Sequence, residues 1–140
     1  MDKIGPIVII DDDHDDHEIL KGLLDELPDM PEIVLFENSD AALSYLKRPE
    51  VKPFLIISDI QMPAPGGFEL RKVVFNDGAL REKCIPFIFM TTGLSPEMIR
   101  KAYQLSVQGI FQKPSSLVEW TRQLKIIIDY WLESKSPNRF

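Results

Sequence analysis

The stretch at residues 54–63 reads FLIISDIQMP, and it decides the fold of this chain. Its first four residues form an apolar run that is too short for a helix. Such continuous hydrophobicity is typical of a strand buried on both faces of a parallel sheet. Asp59 stands two positions after the run. Open α/β sheets bind their ligands beyond the carboxyl ends of the strands, so Asp59 is the first candidate functional residue.

Four more apolar runs of this kind occur along the chain, separated by segments with helical spacing of apolar residues. Five strands alternating with five helices predict a doubly wound α/β fold, in which right-handed crossovers place helices on both faces of a five-stranded parallel sheet. Two helix starts carry capping signals, Ser95 before Pro96 and the candidate capping box Ser116 with Glu119. The predicted strands are residues 7–10, 33–36, 54–57, 87–90 and 110–111, and the predicted helices contain residues 19–27, 41–46, 68–74, 96–105 and 117–131.

The composition predicts one ordinary domain, because the chain has 140 residues of which 44% are hydrophobic and 27% charged. We expect this domain at residues 1–133 and a frayed tail at residues 134–140, with no output domain after it. The net charge of −6 argues against nucleic acid and anionic membranes as partners. Cys84 is the single cysteine, and no signal-peptide pattern or bilayer-length apolar run occurs, so we expect a cytoplasmic location.

Ionisable or hydroxyl side chains follow four of the five predicted strands. The carboxyl ends of parallel strands share one edge of the sheet, so we expect these side chains to converge. Carboxylates held close together repel by about 4 kcal/mol per pair at an effective dielectric constant of 20, and they therefore need a cation. Hard oxygen ligands with room for water favour Mg²⁺. The residues are Asp11 and Asp12 after the first strand, Asp59 after the third, Thr91 and Thr92 after the fourth, and Lys113 after the fifth.

Together these groups predict the transfer of a phosphoryl group to an aspartate. One carboxylate can attack a phosphorus centre while the cation and the Lys113 ammonium neutralise the charge on the equatorial oxygens. The Thr91 hydroxyl can donate a hydrogen bond to the same oxygens. Each residue alone would be an ordinary surface or strand residue, so the prediction depends on the whole set.

Four motifs occur in order along the chain: IVIIDDDHDD at residues 7–16, FLIISDIQMP at 54–63, IPFIFMTTG at 85–93 and GIFQKPS at 109–115. With these motifs the chain resembles a stand-alone response-regulator receiver domain of the CheY-like family, over about residues 7–131. The resemblance implies a flavodoxin-like sheet with strand order 2-1-3-4-5. It also implies a role in a two-component phosphorelay.

The resemblance implies a role for each residue that matches the acceptor site. Asp59 matches the phosphoacceptor. Asp11 and Asp12 match the acidic pair that binds Mg²⁺, with Asp12 the direct ligand and Asp11 acting partly through water. Gln61 matches the position whose backbone carbonyl binds the metal. The implied chemistry is self-catalysed phosphoryl transfer with slow autodephosphorylation, not that of a conventional turnover enzyme.

A second group of residues matches the switch of the family. Thr91 matches the hydroxyl that moves toward the phosphoryl group, Lys113 matches the phosphate-binding lysine, and Pro114 matches a proline that usually follows a cis bond. Ile110 stands where the family often has an aromatic residue coupled to the threonine. Thr92 is bulkier than the usual alanine or glycine, so we expect it to hinder water and to lengthen the lifetime of the phosphoryl group.

The resemblance also implies partners. The expected phosphoryl donor is a sensor histidine kinase or a histidine phosphotransfer protein, and the expected output is phosphorylation-dependent protein binding. The last predicted helix, residues 117–131, is apolar on more than one face. It is interpreted mainly as core; a second interpretation is that part of it, with the fourth predicted helix, forms a surface for a homodimer or a kinase. The alternative is a receiver-like module that docks without phosphorylation.

Two other functions fit the sequence less well. A phosphohydrolase of the haloacid-dehalogenase kind needs a second acidic residue two positions after its nucleophile, where this chain has Gln61. A dinucleotide-binding domain needs Gly-x-Gly-x-x-Gly after the first strand, where this chain has Asp-Asp-Asp-His.

The remaining polar residues of the first motif receive structural interpretations. His14 and His17 are interpreted as surface histidines beside a helix start, because no Cys or further His completes a set of metal ligands. Asp13, Asp15 and Asp16 are interpreted as charges that the dipole at a helix N-terminus favours.

Overall fold

The computed structural model describes residues 4–27 and 30–137, which build one parallel sheet with helices on both faces. The strand order β2-β1-β3-β4-β5 confirms the predicted fold. The strands are β1 (Ile7–Ile10), β2 (Ile33–Phe36), β3 (Leu55–Ser58), β4 (Phe87–Thr91) and β5 (Gly109–Gln112). The helices are α1 (His14–Asp25), α2 (Ser39–Leu46), α3 (Gly67–Asn76), α4 (Gly78–Glu82), α5 (Pro96–Gln104) and α6 (Leu117–Glu133).

Each face of the sheet has its own hydrophobic core. Val8 and Ile10 of β1 pack on the side of α2, α3, α4 and α5, whereas Ile7 and Ile9 pack on the side of α1 and α6. All four side chains are at most 2% exposed. Burial on both faces explains why β1 is continuously apolar rather than alternating, and each such side chain stabilises the fold by about 1.5–3 kcal/mol.

The register of the strands brings their carboxyl ends to one edge of the sheet. Ile10 at the end of β1 pairs with Ser58 at the end of β3, and Ser58 pairs in turn with Phe89 of β4. Thr91 at the end of β4 pairs with Gln112 at the end of β5. The next residues along the chain therefore reach the same edge: Asp11, Asp59, Thr92 and Lys113.

The described residues contain six helices, so the prediction of five was wrong by one. The additional helix is α4, which is only five residues long. Asp77 begins it, because its carboxylate accepts the Leu80 N–H at 3.0 Å, and Leu80 anchors it in the core at 1% exposure. A helix of little more than one turn has no apolar periodicity, and the pair Asp77-Gly78 is itself typical of a turn. The fourth and fifth predicted helices are thus α5 and α6.

The two predicted helix caps are present, one of them in part. The Ser95 hydroxyl accepts the Met98 N–H at 3.2 Å at the start of α5. The Ser116 hydroxyl accepts the Glu119 N–H at 3.3 Å at the start of α6. The Glu119 carboxylate, however, binds Arg122 at 2.8 Å instead of returning to the Ser116 backbone, so half of the capping box forms.

The last helix, α6, has both a buried and an exposed apolar side. Trp120 and Ile128 are at most 4% exposed, whereas Val118 is 77% exposed and Tyr130 is 62% exposed. No helix in the described part of the chain is long and apolar enough to cross a membrane. Of the predicted tail, residues 134–137 are described, beginning with Ser134 at the end of α6, and residues 138–140 lie outside the described residues.

Candidate functional site

Backbone hydrogen bonds extend past the ends of three strands and form the base of the site. The N–H groups of Asp11 and Asp59 each donate to a carbonyl of the neighbouring strand, at 3.0 and 2.9 Å, and the Lys113 N–H donates to Thr91 O at 2.8 Å. The side chains of Asp11 and Lys113 are 5% exposed and that of Asp59 is 7% exposed. Four of the residues predicted from the sequence therefore meet at one buried edge of the sheet.

The two carboxylate oxygens of Asp59 have different surroundings. Oδ1 accepts the backbone N–H groups of Ile60 and Gln61, at 2.7 and 3.2 Å. Oδ2 accepts the Lys113 ammonium at 2.8 Å. The Ser58 hydroxyl donates to the Asp59 carbonyl at 2.8 Å, which helps to hold the backbone at the end of β3. The ionised carboxylate is thus held in one orientation by charge-assisted hydrogen bonds.

The Lys113 ammonium sits among three carboxylates. Its Nζ lies 2.8 Å from Asp11 Oδ2, 2.6 Å from Asp16 Oδ2 and 2.8 Å from Asp59 Oδ2. Burial by itself would lower the pKa of Lys113, but the hydrogen bonds to the three aspartates raise it above its ordinary value. Lys113 therefore stays charged, and one positive charge faces three negative ones.

Asp16 is the residue of this cluster that the sequence interpretation missed. It was assigned to the helix N-terminus, yet its carboxylate reaches Lys113 and is only 14% exposed. Asp13 does fill the assigned role, because its carboxylate accepts the N–H groups of Asp15 and Asp16 at the start of α1. Helical spacing carries the signal for Asp16, since it lies four positions before the buried Leu20 and therefore on the same side of α1.

The carboxylates of Asp11, Asp12 and Asp59 form a group suited to a divalent cation. One oxygen of each lies within 4.8 Å of the others, and Asp12 is exposed to solvent while the other two are buried. Their oxygens are hard ligands, and the open side at Asp12 leaves room for water, as Mg²⁺ requires. The residues present therefore fit the predicted metal.

The Asp11 carboxyl is affected most strongly by burial. Burial raises its pKa from 3.8 to about 6, although hydrogen bonds from Lys113 and from the Asp13 N–H act in the opposite direction. When no cation is present, ionisation of Asp11 is thus less favourable in the folded protein than in the unfolded chain. A bound cation would favour the ionised form, so proton and cation compete for Asp11.

The raised pKa of Asp11 predicts how stability depends on pH without divalent cations. Well below the ordinary pKa of 3.8, Asp11 is protonated in both states, and as pH rises the unfolded chain ionises before the folded one does. Its contribution to stability is therefore present at low pH and is lost as pH rises through about 6. Between pH 4 and pH 7 this loss amounts to about 2–3 kcal/mol.

Urea unfolding of the wild type and of Asp11→Asn, at several pH values in a chelator, measures this loss. We expect the difference in free energy of unfolding between the two proteins to shift in favour of the variant as pH rises. Asp15→Asn, on the exposed side of α1, is the matched control and should follow the wild type. A difference between wild type and Asp11→Asn that stays constant across this pH range contradicts the assignment.

The Thr91 hydroxyl is buried and lacks a hydrogen-bond partner in the described part of the chain. Thr91 is 0% exposed, and its Oγ1 has no partner among residues 4–27 and 30–137. A buried hydroxyl without a partner costs about 1–3 kcal/mol. Such a group usually gains a hydrogen bond when a ligand binds or when the chain around it moves. Thr92, in contrast, is exposed, and its carbonyl accepts the Gln112 side chain at 3.2 Å.

Three further predicted residues surround the site. Gln61 is exposed beside Asp59, and its backbone N–H is bound to Asp59 as described. Ile110 of β5 packs against the core on the side of α5. The cis peptide bond of the described residues joins Ala64 to Pro65 and not Lys113 to Pro114, where the resemblance implied one.

The model of the response regulator receiver domain family matches residues 7–125. The chain belongs to this family. One relative is the two-component response regulator ARR16 of Arabidopsis thaliana, which is 30% identical over 125 residues, covering 81% of this chain and 74% of that protein. The phosphorylated cyanobacterial phytochrome response regulator RcpA has a TM-score of 0.84 at 22% identity, covering 95% of this chain and 97% of that chain.

A second solved structure, the Mn²⁺-bound form of response regulator Rcp1, has a TM-score of 0.81 at 21% identity, covering 94% of this chain and 97% of that chain. At these identities the two structures confirm the fold of the receiver domain. The protein is therefore a receiver domain of a two-component response regulator. Receiver domains bind divalent metal and interact with sensor histidine kinases.

Proposed function

We propose that this receiver domain accepts a phosphoryl group from a phosphohistidine on Asp59. The setting of the Asp59 carboxylate carries the proposal: two backbone N–H groups hold Oδ1, and Lys113 lies 2.8 Å from Oδ2. An oxygen of Asp59 attacks the phosphorus, the new O–P bond replaces the N–P bond, and the leaving imidazole takes up one proton. Lys113 offsets the charge on the transferred oxygens.

In this proposal Asp11, Asp12, Asp59 and the Gln61 carbonyl hold one Mg²⁺ ion. When bound, the ion supplies positive charge that offsets the negative charge of the phosphoryl oxygens. The three carboxylates lie close enough together to share a cation, which supports this assignment. The excess of carboxylates around Lys113 supports it as well. The Mn²⁺-bound form of Rcp1 is consistent with a divalent ion in this fold.

The proposed response begins with Thr91 and Lys113. The unpartnered Thr91 hydroxyl donates to a phosphoryl oxygen, and Lys113 exchanges part of its contact with the aspartates for a contact with the phosphoryl group. Thr91 ends β4 and Lys113 follows β5, so both movements act on the loops that lead into α5 and α6. A two-state surface is thereby shifted, and protein binding provides the output.

A small phosphodonor tests the proposal directly. Incubation of the chain with acetyl phosphate and Mg²⁺ should add the mass of one phosphoryl group, and a chelator should prevent the addition. Hydroxylamine should remove the group, because an acyl phosphate is labile to it, and this distinguishes an aspartyl phosphate from phosphoserine or phosphothreonine. An unchanged mass under all conditions contradicts the proposal and favours the docking module that acts without phosphorylation.

Thr92 is proposed to slow the loss of the phosphoryl group. Its side chain is exposed and directly follows Thr91 in the sequence, and in this proposal its bulk hinders the approach of water to the phosphorus. We expect Thr92→Ala to dephosphorylate up to about tenfold faster, equivalent to about 1.4 kcal/mol in the barrier. Ser44→Ala, an exposed position on α2, is the control. A decay of phosphorylated Thr92→Ala no faster than that of the wild type contradicts this role.

The proposal also covers domain limits, location and partners. The receiver occupies residues 1–133 and the tail residues 134–140, and a sensor histidine kinase or a histidine phosphotransfer protein donates in the cytoplasm. Exposed aromatic side chains, Tyr103 on α5 and Tyr130 on α6, support a homodimer or a kinase contact on these helices. Sedimentation with and without the phosphoryl group tests the dimer, and a monomer in both states removes it.

A further inference from the structure

A second group of possible metal ligands lies beside the acceptor site and shares no residue with it. His14 and His17 stand three positions apart at the start of α1, and Glu37 directly follows β2. One ligand atom of each lies within 4.8 Å of the others. His14 Nδ1 already contacts Glu37 Oε1 at 3.3 Å. The fold thus supplies the third ligand that inspection of Cys and His positions did not find.

His17 is a buried residue, which corrects its interpretation as a surface histidine. It is 9% exposed, and its Nε2 is buried with no hydrogen-bond partner in the described part of the chain. The rings of His14 and His17 lie edge to face with centroids 6.1 Å apart. A buried ring nitrogen without a partner is unfavourable, and a ligand that accepts its lone pair or its proton would remove this cost.

The two exposed ligands, His14 and Glu37, can adjust their positions around an ion. The side chains of His14 and Glu37 are 76% and 59% exposed, so both can change rotamer without disturbing the core. Ligands of a tetrahedral ion at about 2.0–2.1 Å lie about 3.3 Å apart. In this proposal the exposed side chains of His14 and Glu37 move toward His17 to bring the ligand atoms to that distance.

We propose that His14, His17 and Glu37 bind one divalent transition-metal ion of the Zn²⁺ class. Two imidazoles and one carboxylate are a known ligand set for Zn²⁺, with water in the fourth position. This set of ligands then differs in chemistry from the aspartate cluster. The oxygen ligands of Asp11, Asp12 and Asp59 suit Mg²⁺, whereas imidazole suits Zn²⁺ and its neighbours in the transition series.

An ion at this position would join two segments of the chain. His14 and His17 belong to the first turn of α1, whose Asp16 contacts Lys113, and Glu37 precedes the Asn38 cap of α2. The ion would therefore tie the start of α1 to the connection between β2 and α2. Because an ion bound only by the folded chain stabilises it, Zn²⁺ should raise the thermal midpoint of unfolding.

The test is calorimetric titration of the whole chain with Zn²⁺ in saturating Mg²⁺, which keeps the aspartate cluster occupied. We expect one Zn²⁺ per chain, and a loss of at least about tenfold in affinity for His14→Asn and for Glu37→Gln. The rise in thermal midpoint should disappear in the same two variants. Glu18→Gln, an exposed carboxylate of α1, is the matched control and should bind Zn²⁺ like the wild type.

Two further variants separate this site from the acceptor site. Asp12→Asn should keep the affinity for Zn²⁺, and its loss in this variant overturns the proposal in favour of the aspartate cluster. Equal affinities in the wild type, His14→Asn and Glu37→Gln overturn it as well. His17→Asn should abolish binding. If this core variant does not fold, the two exposed positions decide the outcome.

Discussion

Asp59→Asn should abolish phosphorylation of the chain by acetyl phosphate and Mg²⁺. The amide is a poor nucleophile toward phosphorus. Two backbone N–H groups bind one oxygen of Asp59, whereas the neighbouring Asp11 accepts only one. Intact-mass measurement should therefore show a complete loss of the added phosphoryl group. Removal of one charge from a cluster of like charges should leave the variant at least as stable as the wild type.

Asp40→Asn is the control for this experiment. Asp40 is an exposed carboxylate in the first turn of α2, and its variant should accept one phosphoryl group as the wild type does. A thermal scan of both variants shows that loss of labelling is not loss of folding. Full labelling of Asp59→Asn assigns the phosphoryl group to another residue and overturns the proposed acceptor.

Lys113→Ala should separate phosphorylation from the response to it. The nucleophile and the cation ligands remain, so the variant should still take up a phosphoryl group, although more slowly because one stabilising charge is missing. The conformational response should be lost, since in the proposed function the phosphoryl group acts on the loop after β5 through Lys113. Amide chemical shifts of α5 and β5, compared before and after phosphorylation, measure this response.

Lys72→Ala provides the matched control, because Lys72 is an exposed lysine on α3. Its phosphorylation-dependent shifts should equal those of the wild type. A full set of shifts in phosphorylated Lys113→Ala contradicts the role of the lysine in the switch. A complete loss of phosphorylation in that variant contradicts the assignment in another way, since it makes Lys113 necessary for the transfer itself.

The central strands and most of the candidate functional site could be predicted from the sequence. Strands buried on both faces need continuous apolar runs, and runs such as residues 7–10 and 87–90 have few other interpretations in a chain of this length. The residues that follow such strands in a parallel sheet must share one edge. Asp11, Asp59 and Lys113 were found by this rule, and the structure places them in contact.

Features that depend on distant side chains could not be predicted in this way. The sequence related Asp16 only to the start of its own helix. Lys113, its ion-pair partner, is 97 positions away in the sequence and 2.6 Å away in space. Lys83 donates to the carbonyls of Leu46, Arg48 and Val51, which no local pattern indicates. The short helix α4 was missed because it lacks periodicity.

The sequence by itself determined the five strands and five of the six described helices in their order along the chain, the buried runs and the identity of the polar residues at the strand ends. These follow from local chemistry, since periodicity, capping and burial act over a few neighbouring residues. Only the tertiary structure decided which charges share Lys113, that the Thr91 hydroxyl lacks a partner and that Glu37 joins His14 and His17. Distances of this kind depend on strand register and helix packing, which are set by contacts far apart along the chain.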